Sequence, residues 1–311
     1  MAGAALAEAP PRVSVAAADS SAAPAPRADD DEAARPPIHP VRSALVMLAA
    51  VCLTFTGYVT FGSSLQHGAA QTTRFAHYRA QLALGTAPVG PTDNDHHLLA
   101  LGTSIALLRI PSLGLREVIG EGTTGQVLQN GPGHLRSTVF PGGQGTSVVL
   151  GRANAYGGPF GSITHLKPGD KITVTTANGT AHFKVVDVRQ AGQKIPTLAS
   201  GSARLTLVTA TGTAYFPSAT VSVDADTTTP LPSVAPAMSS VPSAERPLGT
   251  STAGLWALFL WLEALVALAI GGVWMWYRRS PAHALLLFSA PVILVATEAC
   301  RALTPMLPNL M

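Results

Sequence analysis

Cysteine is almost absent from this sequence. The chain has only Cys52 and Cys300, and both stand in or beside long apolar runs. The region between these runs therefore offers no thiol that could form a disulfide, attack a substrate or bind a metal ion. This absence excludes disulfide scaffolds, cysteine catalysis and cysteine-ligated metal centres from the region where a soluble domain would fold.

Charged residues are also scarce. Only 12% of the residues are Asp, Glu, Lys or Arg, against 47% that are hydrophobic, and the formal net charge is +3. The basic residues are scattered rather than gathered into a stripe, so the sequence predicts no nucleic-acid partner. An apolar share of this size has to be buried, and its distribution along the chain indicates where.

The apolar residues are concentrated in three runs. Residues 43–61 contain no charged residue, and about 18 apolar positions at a rise of 1.5 Å span roughly 27 Å, near the hydrocarbon thickness of a bilayer. Residues 254–277 carry aromatic residues toward their ends, as membrane-interface belts do. Both runs are predicted to be transmembrane helices. Residues 282–299 form a shorter run with Pro291 and Glu298, and we predict a third membrane helix there whose full crossing stays open.

Basic residues predict the direction of these helices. Arg278 and Arg279 stand in the short turn between the second and third runs, so the positive-inside rule places this turn in the cytoplasm. The N-terminal tail, residues 1–42, is then cytoplasmic as well, and residues 62–253 lie outside the cell. The tail is rich in Ala, Pro and Ser and is predicted to be disordered, and the run that follows it is a retained anchor. We therefore predict a multi-pass protein of the cell membrane.

The predicted outer region changes character along its length. Residues 62–103 are predicted to be a stalk that starts as a helix over 63–84, and residues 227–253 form a Pro/Ser-rich linker. Between them, residues 104–226 contain short runs rich in Val, Ile and Thr, separated by glycine and proline turns. This pattern predicts a mainly β domain folded as a compact barrel. The strand-length runs are 104–110, 146–152, 170–177, 180–190, 204–210 and 219–226.

Neither a cofactor nor a metal ion is predicted. His96 and His97 are adjacent in the stalk and could bind a metal ion. A histidine pair without a third ligand is more often solvated, however, so we expect no metal site there.

Three stretches of the barrel region carry a family likeness. GPGHLRSTVFPGGQGTSVVLG at 131–151, PFGSITHLKPGDKITVTT at 159–176 and RLTLVTA at 204–210 follow one another in a characteristic order and spacing. On these motifs, residues 104–226 resemble sortases, the membrane-anchored cysteine transpeptidases of Gram-positive bacteria. The resemblance implies an eight-stranded β-barrel with short helices and a groove that, in active relatives, binds an extended sorting-signal peptide.

The resemblance also implies three catalytic positions, and this sequence departs from the family at each. The nucleophilic cysteine of the family corresponds to Ala210, and its histidine corresponds to Arg152. The family's arginine should fall in or near 213–223, yet no Arg or Lys occurs between Leu205 and Glu245. A methyl group cannot act as a nucleophile, and an arginine stays protonated and cannot accept a proton. The sequence therefore predicts a protein without sortase catalysis.

The same positions are predicted to line the groove. Arg152 could hold a carboxylate or a peptide carbonyl with its planar fork, or it could be a surface residue lying over Tyr156, and both interpretations stay open. Aromatic side chains near the site favour peptide binding. The residues predicted to contact a partner in the groove are Arg152, Asn154, Tyr156, Thr209, Ala210, Thr211 and Tyr215.

We therefore predict a membrane-anchored, non-catalytic protein that lies in the lipid bilayer and binds a peptide or a cell-envelope protein through the groove. Two alternatives remain. Thr209 or Thr211 could be a nucleophile with His134, His165 or His182 as its base, which would make the chain a hydrolase or transpeptidase with a non-cysteine nucleophile. Alternatively, the barrel could serve only as a structural spacer for the membrane helices.

Overall fold

The computed structural model describes residues 53, 56–213, 216–236, 238–252, 254–279 and 281–311. The predicted tail, residues 1–42, lies outside these ranges. So do most of the first predicted membrane helix, residues 43–61, and the predicted groove residue Tyr215.

Eight strands form a closed barrel, in the order β1-β2-β3-β4-β7-β8-β6-β5. Closure pairs the two outermost strands, β1 and β5, and so removes the open sheet edge at which chains aggregate. The predicted fold class and the strand number implied by the resemblance are both confirmed. The strands are β1 Ser104–Ile110, β2 Leu115–Glu121, β3 Gly133–His134, β4 Gly145–Leu150, β5 Lys171–Thr176, β6 Gly179–Gln190, β7 Ala203–Thr213 and β8 Phe216–Thr227.

The barrel core follows from the alternation of side chains along the strands. On β5 and β6, Ile172, Val174, Ala181 and Phe183 are buried in the core, while their neighbours along each strand are more exposed. Strand β7 lies between β4 and β8, and its residues 203–210 are all buried. Both faces of the strand are covered: Leu205 and Leu207 pack in the barrel core, and Val208 and Ala210 pack in a second apolar cluster.

The pairing of β4 with β7 places the groove. These two strands are parallel, with Val149 beside Leu207 and Leu150 beside Val208. Just past β4, the amide of Gly151 donates to the carbonyl oxygen of Val208 at 3.0 Å. Because parallel strands end at the same edge of a sheet, residues that follow β4 lie next to the last residues of β7.

Buried charges connect β6, β7 and β8. Asp224 on β8 is fully buried, and its carboxylate accepts hydrogen bonds from Thr206 Oγ1 at 2.7 Å and from Arg189 Nε at 2.5 Å. Arg204 on β7 donates from Nε and Nη2 to the two carboxylate oxygens of Asp226, each at 2.7 Å. Buried charges are tolerated when they are paired, so these bonds stabilise one strand register against others that would leave the charges unpaired.

The segments predicted as stalk and linker both lie against the barrel. The helix predicted at 63–84 is confirmed as α1, Ser63–Leu84. The side-chain amide of Gln71 on α1 bonds both main-chain groups of Val118, accepting from its N–H at 2.8 Å and donating to its C=O at 3.3 Å. In the linker, buried Glu245 pairs with Arg136 of the barrel. These polar contacts hold both segments against the barrel, so the first part of the predicted stalk is a docked helix.

Two long apolar helices follow the barrel in the chain. They are α3, Leu255–Arg278, and α4, Pro281–Leu303, and the short helix α2, Gly125–Leu128, lies between β2 and β3. By length and composition, residues 255–275 and 286–303 within them could each cross a membrane. The two helices are therefore consistent with membrane anchoring through the second and third apolar runs of the sequence.

These helices pack on each other as an antiparallel pair. Gly254 at the start of α3 lies against Ala302 near the end of α4, and Gly271 lies against the ring of Phe288. Many other apolar side chains of the pair are exposed, among them Leu260, which is 61% exposed. Apolar surface of this extent is typical of a helix that contacts lipid. Beyond α4 the chain makes a turn at Thr304–Met306 and then runs back onto the barrel.

Candidate functional site

The predicted groove lies at the ends of β4 and β7. Ala210, near the end of β7, is 7% exposed and pairs with Thr220 of β8. It lines a cavity of about 160 Å³ together with Asn154 and Thr211. Three of the predicted groove residues are thus brought together around one cavity. Other residues that line it are Ala153, Thr164, Gly212, Thr213 and Met311.

Arg152, which the resemblance aligns with the family's histidine, has a completely buried side chain. Its Nη2 donates to the carbonyl oxygen of Gly125 at 3.1 Å, and its Nη1 donates to the main-chain oxygen of Met311 at 3.5 Å. The guanidinium carbon lies 5.0 Å from the centre of the Tyr156 ring. The interpretation as a surface arginine is therefore wrong, because burial is complete, although the predicted contact with Tyr156 is present.

The charge of Arg152 is only partly compensated. Burial lowers the pKa of Arg152 to about 10, so the side chain is still protonated at neutral pH. Among the described residues no Asp or Glu side chain pairs with it, and its Nε has no hydrogen-bond partner. A buried cation is costly unless polar groups face it. This part of the groove therefore favours oxygen acceptors, and main-chain carbonyls provide them.

The groove also contains a later part of the same chain. The amide of Ala153 donates to the carbonyl oxygen of Leu310 at 3.0 Å. The Leu310 side chain is fully buried in a cluster formed by Leu128, Leu150, Val208 and Ala210. The sequence prediction did not include residues 309–311, since they follow the third apolar run without any motif. The one signal available there is an apolar pair after Pro308.

Tyr156 does not line the groove, and its predicted place there is corrected. Its side chain is fully buried, and its hydroxyl donates to Thr304 Oγ1 at 3.0 Å. The ring meets that of Tyr58 edge-on, with the ring centres 6.4 Å apart. Burial raises the pKa of the Tyr156 hydroxyl. The backbone at Tyr156 has a left-handed φ of 54°, and the loop it shapes brings the ring to Tyr58 and Thr304.

The two threonines beside Ala210 lie in different surroundings. Thr209 is buried, and its hydroxyl donates to the carbonyl oxygen of Gly151 at 3.0 Å. Its proton is therefore directed at a main-chain oxygen and not at a base. Thr211 is half-buried and faces the cavity.

The histidines proposed as a base have other partners. His134 on β3 is 1% exposed, with Nδ1 at 3.0 Å from Glu121 Oε2 and Nε2 at 3.0 Å from the carbonyl oxygen of Val139. His165 and His182 are exposed, and His182 Nδ1 lies 3.3 Å from Thr173 Oγ1. No hydrogen bond found in the described part of the chain joins one of these histidines to Thr209.

The strand that should supply the family's arginine carries no cation. Strand β8 pairs with β7 through its whole length, yet residues 216–227 contain neither Arg nor Lys. Strand β8 therefore supplies no cation that could stabilise an oxyanion beside Ala210, and the loss of one donor from such a site typically costs about 3 kcal/mol in activation free energy.

Asp93, Asp95 and His97 form a cluster of possible metal ligands outside the groove, with ligand atoms within 4.8 Å of one another. All three residues are exposed. Asp93 Oδ1 accepts hydrogen bonds from the amides of Asp95 and His97, at 3.0 and 2.9 Å. The carboxylate therefore organises a turn, and this accounts for the proximity of the cluster without an ion.

Replacement of Gly151, which directly follows β4, is expected to destabilise the barrel. A Cβ at this position would lie 2.5 Å from ring atoms of buried Phe160. Overpacking of this kind typically costs about 1–3 kcal/mol, so Gly151→Ala should lower the thermal midpoint of the full chain in detergent micelles. Gly68→Ala on α1 is the matched control, because a Cβ there meets no atom within 4 Å. An equal midpoint for the two variants would contradict this account of the strand end.

The barrel region matches a known protein family. Residues 108–222 match the family model described as the sortase domain. The chain therefore contains a domain of the sortase family, and the family named from the motifs is confirmed. No curated protein sequence matches the chain significantly.

Solved structures similar to this chain are sortases. One is a sortase D5 transpeptidase from Clostridium perfringens, with 22% sequence identity, a TM-score of 0.42, and coverage of 50% of this chain and 97% of that chain. Another is sortase E1 from Streptomyces coelicolor with a tripeptide in its active site, with 25% identity, a TM-score of 0.35, and coverage of 40% and 87%. A third is a lid mutant of sortase A from Corynebacterium diphtheriae, with 26% identity, a TM-score of 0.37, and coverage of 40% and 69%.

Proposed function

We propose that this protein is a membrane-anchored, non-catalytic member of the sortase family whose groove binds an extended polypeptide of a cell-envelope partner. The observation that carries the proposal is the state of the groove. It keeps an open, largely polar cavity at the family's catalytic position, while the side chains around that cavity cannot perform acyl transfer.

The chemical argument concerns Ala210 and Arg152. Acyl transfer needs a nucleophile, and Ala210 supplies only a methyl group at the floor of the cavity. It also needs a proton acceptor, and Arg152 is protonated, buried and bonded to main-chain oxygens. Thr209, one of the two threonines next to Ala210, donates to Gly151. Thr211, the other, faces the cavity, and among the described residues no hydrogen bond joins it to a histidine. These arrangements support binding without turnover.

The binding argument rests on the main chain around the cavity. The amide of Ala153 already pairs with a peptide carbonyl, that of Leu310, so the edge of the groove is suited to an extended chain. Asn154 is exposed at the cavity and Thr211 is half-buried there, and both offer side-chain hydrogen bonds. A polypeptide that uses main-chain bonds for affinity and these side chains for selectivity fits the site best.

In this proposal α3 and α4 cross the membrane and the barrel lies outside the cell. Arg278 at the end of α3 and Arg279 in the turn then face the cytoplasm, in accordance with the positive-inside rule. Residues 43–61 supply a further crossing, which leaves the N-terminal tail in the cytoplasm. A groove on the outer side meets polypeptides of the cell envelope.

The test is a binding measurement on the full chain in detergent micelles. A fluorescein-labelled sorting-signal peptide is titrated by anisotropy, and the same mixture is inspected by mass spectrometry for cleavage. We expect saturable binding and no cleavage. Thr211→Trp should weaken binding by about tenfold, since its indole would fill much of the cavity beside Ala210.

The matched control is Thr180→Trp, which adds the same side chain at an exposed position of β6. Binding should be unchanged in this variant. Cleavage of the peptide by the wild-type chain would overturn the proposal. Equal weakening by both tryptophan variants would place the binding site outside the groove.

A further inference from the structure

The inner half of the groove is occupied by residues 307–311, hereafter the return segment. It follows α4 and the turn at Thr304–Met306, and it is a fixed part of the structure: Asn309, Leu310 and Met311 are all buried. The proposed function has to accommodate this occupant, because Leu310 and Met311 lie beside the position where a partner would have to bind.

The contacts of Asn309 are specific for its side-chain amide. Its Nδ2 donates to the carbonyl oxygens of Thr123 and Arg246, both at 2.9 Å. Its main-chain amide donates to the carbonyl oxygen of Gly249 at 3.1 Å. Thr123 belongs to the barrel, whereas Arg246 and Gly249 belong to the linker. The barrel and the linker together therefore form the binding site of the return segment, hereafter its seat. An aspartate in place of Asn309 could not donate these two bonds.

The contacts of Leu310 and Met311 are made with the degenerate catalytic positions themselves. Leu310 is buried in the cluster that includes Ala210, and its carbonyl oxygen accepts from the amide of Ala153. The main-chain oxygen of Met311 accepts from Arg152 Nη1, which is the residue at the family's histidine position. The substitutions that remove catalysis therefore form the seat of the return segment.

We propose that the return segment is the resident ligand of the groove, and that a separate polypeptide binds there by displacing it. This inference rests on the proposed function. The seat defines the kind of partner that competes: an extended polypeptide in which an asparagine is followed by leucine. The cavity of about 160 Å³ beside Met311 stays open and gives such a polypeptide its first point of contact.

The tether explains why the seat is filled in the free protein. Only the turn at Thr304–Met306 separates α4 from the return segment, so the effective concentration of the segment at the groove is high. The apparent affinity for a partner is the intrinsic affinity of the free groove multiplied by the fraction of molecules in which the groove is free. Release of the return segment should therefore raise the affinity for a polypeptide without changing the seat.

The test compares the wild-type chain with Leu310→Asp in detergent micelles. The charged side chain cannot be buried in the apolar cluster and should release the segment. The probe is a labelled octapeptide with the sequence of residues 304–311, TPMLPNLM, and its control is TPMLPNDM. Amide hydrogen exchange at Asn309 and Ala153 reports the position of the return segment independently of the probe.

We expect the octapeptide to bind Leu310→Asp at least about tenfold more tightly than the wild type, and the control peptide to bind neither. Exchange at Asn309 and Ala153 should be slow in the wild type and faster in the variant. Leu98→Asp makes the same change at a position that is 45% exposed, and it should behave as the wild type does. Asn309→Ala provides a second route to release and should shift both readouts in the same direction.

The outcomes separate this inference from the proposed function. Equal octapeptide affinity in wild type and Leu310→Asp would overturn the inference and leave the groove as a polypeptide site. Fast exchange at Asn309 in the wild type would overturn it as well. If no peptide binds Leu310→Asp although exchange shows that the segment is released, the proposed function fails, and displacement by a polypeptide fails with it.

Discussion

The thiol of an Ala210→Cys variant should react with iodoacetamide about tenfold faster once Leu310→Asp is also present. Ala210 is 7% exposed at the floor of the open cavity, and Leu310 packs beside it in the same cluster, so release of the return segment should widen the access of the reagent to position 210. The rate is measured by intact mass on the full chain in detergent micelles. Both native cysteines are first replaced, as Cys52→Ser and Cys300→Ser.

Thr180→Cys is the control for this labelling experiment. Thr180 is exposed on β6 and does not line the groove cavity, so its thiol should react at the same rate with and without Leu310→Asp. If the Ala210→Cys rate is also the same in the two backgrounds, the return segment does not cover the floor of the groove. The sortase domain would then be open at its catalytic position.

Asp224→Ala should lower the free energy of unfolding by about 3–5 kcal/mol, because removal of one partner from a buried ion pair leaves the other charge uncompensated. Arg189 is the charge left behind, and Thr206 loses its acceptor at the same time. For a chain of this size the change corresponds to a fall of roughly 6–20 °C in the thermal midpoint. Circular dichroism of the full chain in detergent micelles measures it at the wavelengths of β structure.

The control for Asp224→Ala is Asp187→Ala. Asp187 lies on β6 and is only half-buried, and its carboxylate accepts a hydrogen bond from the neighbouring amide of Val188 at 2.8 Å. Its replacement should change the midpoint by a few degrees at most, because exposed or local polar contacts contribute about 1 kcal/mol or less. A similar loss in both variants would show that the charge network does not stabilise the β6–β8 register.

The sequence predicted the strands whose side chains alternate or are continuously apolar, and it did not predict β2 and β3. Strand β2 has the sequence LREVIGE, in which charged residues interrupt the apolar pattern. Its Glu117 lies 3.0 Å from His67 of α1, so the interruption reflects a tertiary contact. Strand β3 has only two residues, which is too short for any periodicity. Local patterns cannot reveal elements that depend on distant partners in this way.

In the groove as well, the sequence predicts what motifs encode locally and misses what depends on distant contacts. Ala210, Thr211 and Asn154 share a cavity because the ends of β4 and β7 are adjacent, and this adjacency was implied by motifs with a known order. The sequence wrongly predicts Tyr156 in the groove, because its side chain contacts Tyr58 and Thr304, which are remote in sequence. The packing of Leu310 in the groove joins residues a hundred or more positions apart, and the apolar pair after Pro308 does not by itself indicate this contact.

The position of Tyr156 has a mechanical consequence. Its ring touches Tyr58, which precedes α1, and its hydroxyl is bonded to Thr304, which follows α4. The loop that carries Tyr156 begins at Arg152, whose guanidinium donates to the main-chain oxygen of Met311 at 3.5 Å. This one loop therefore connects the segment before α1 and the segment after α4 with the return segment, and a displacement of either helix end would move Arg152.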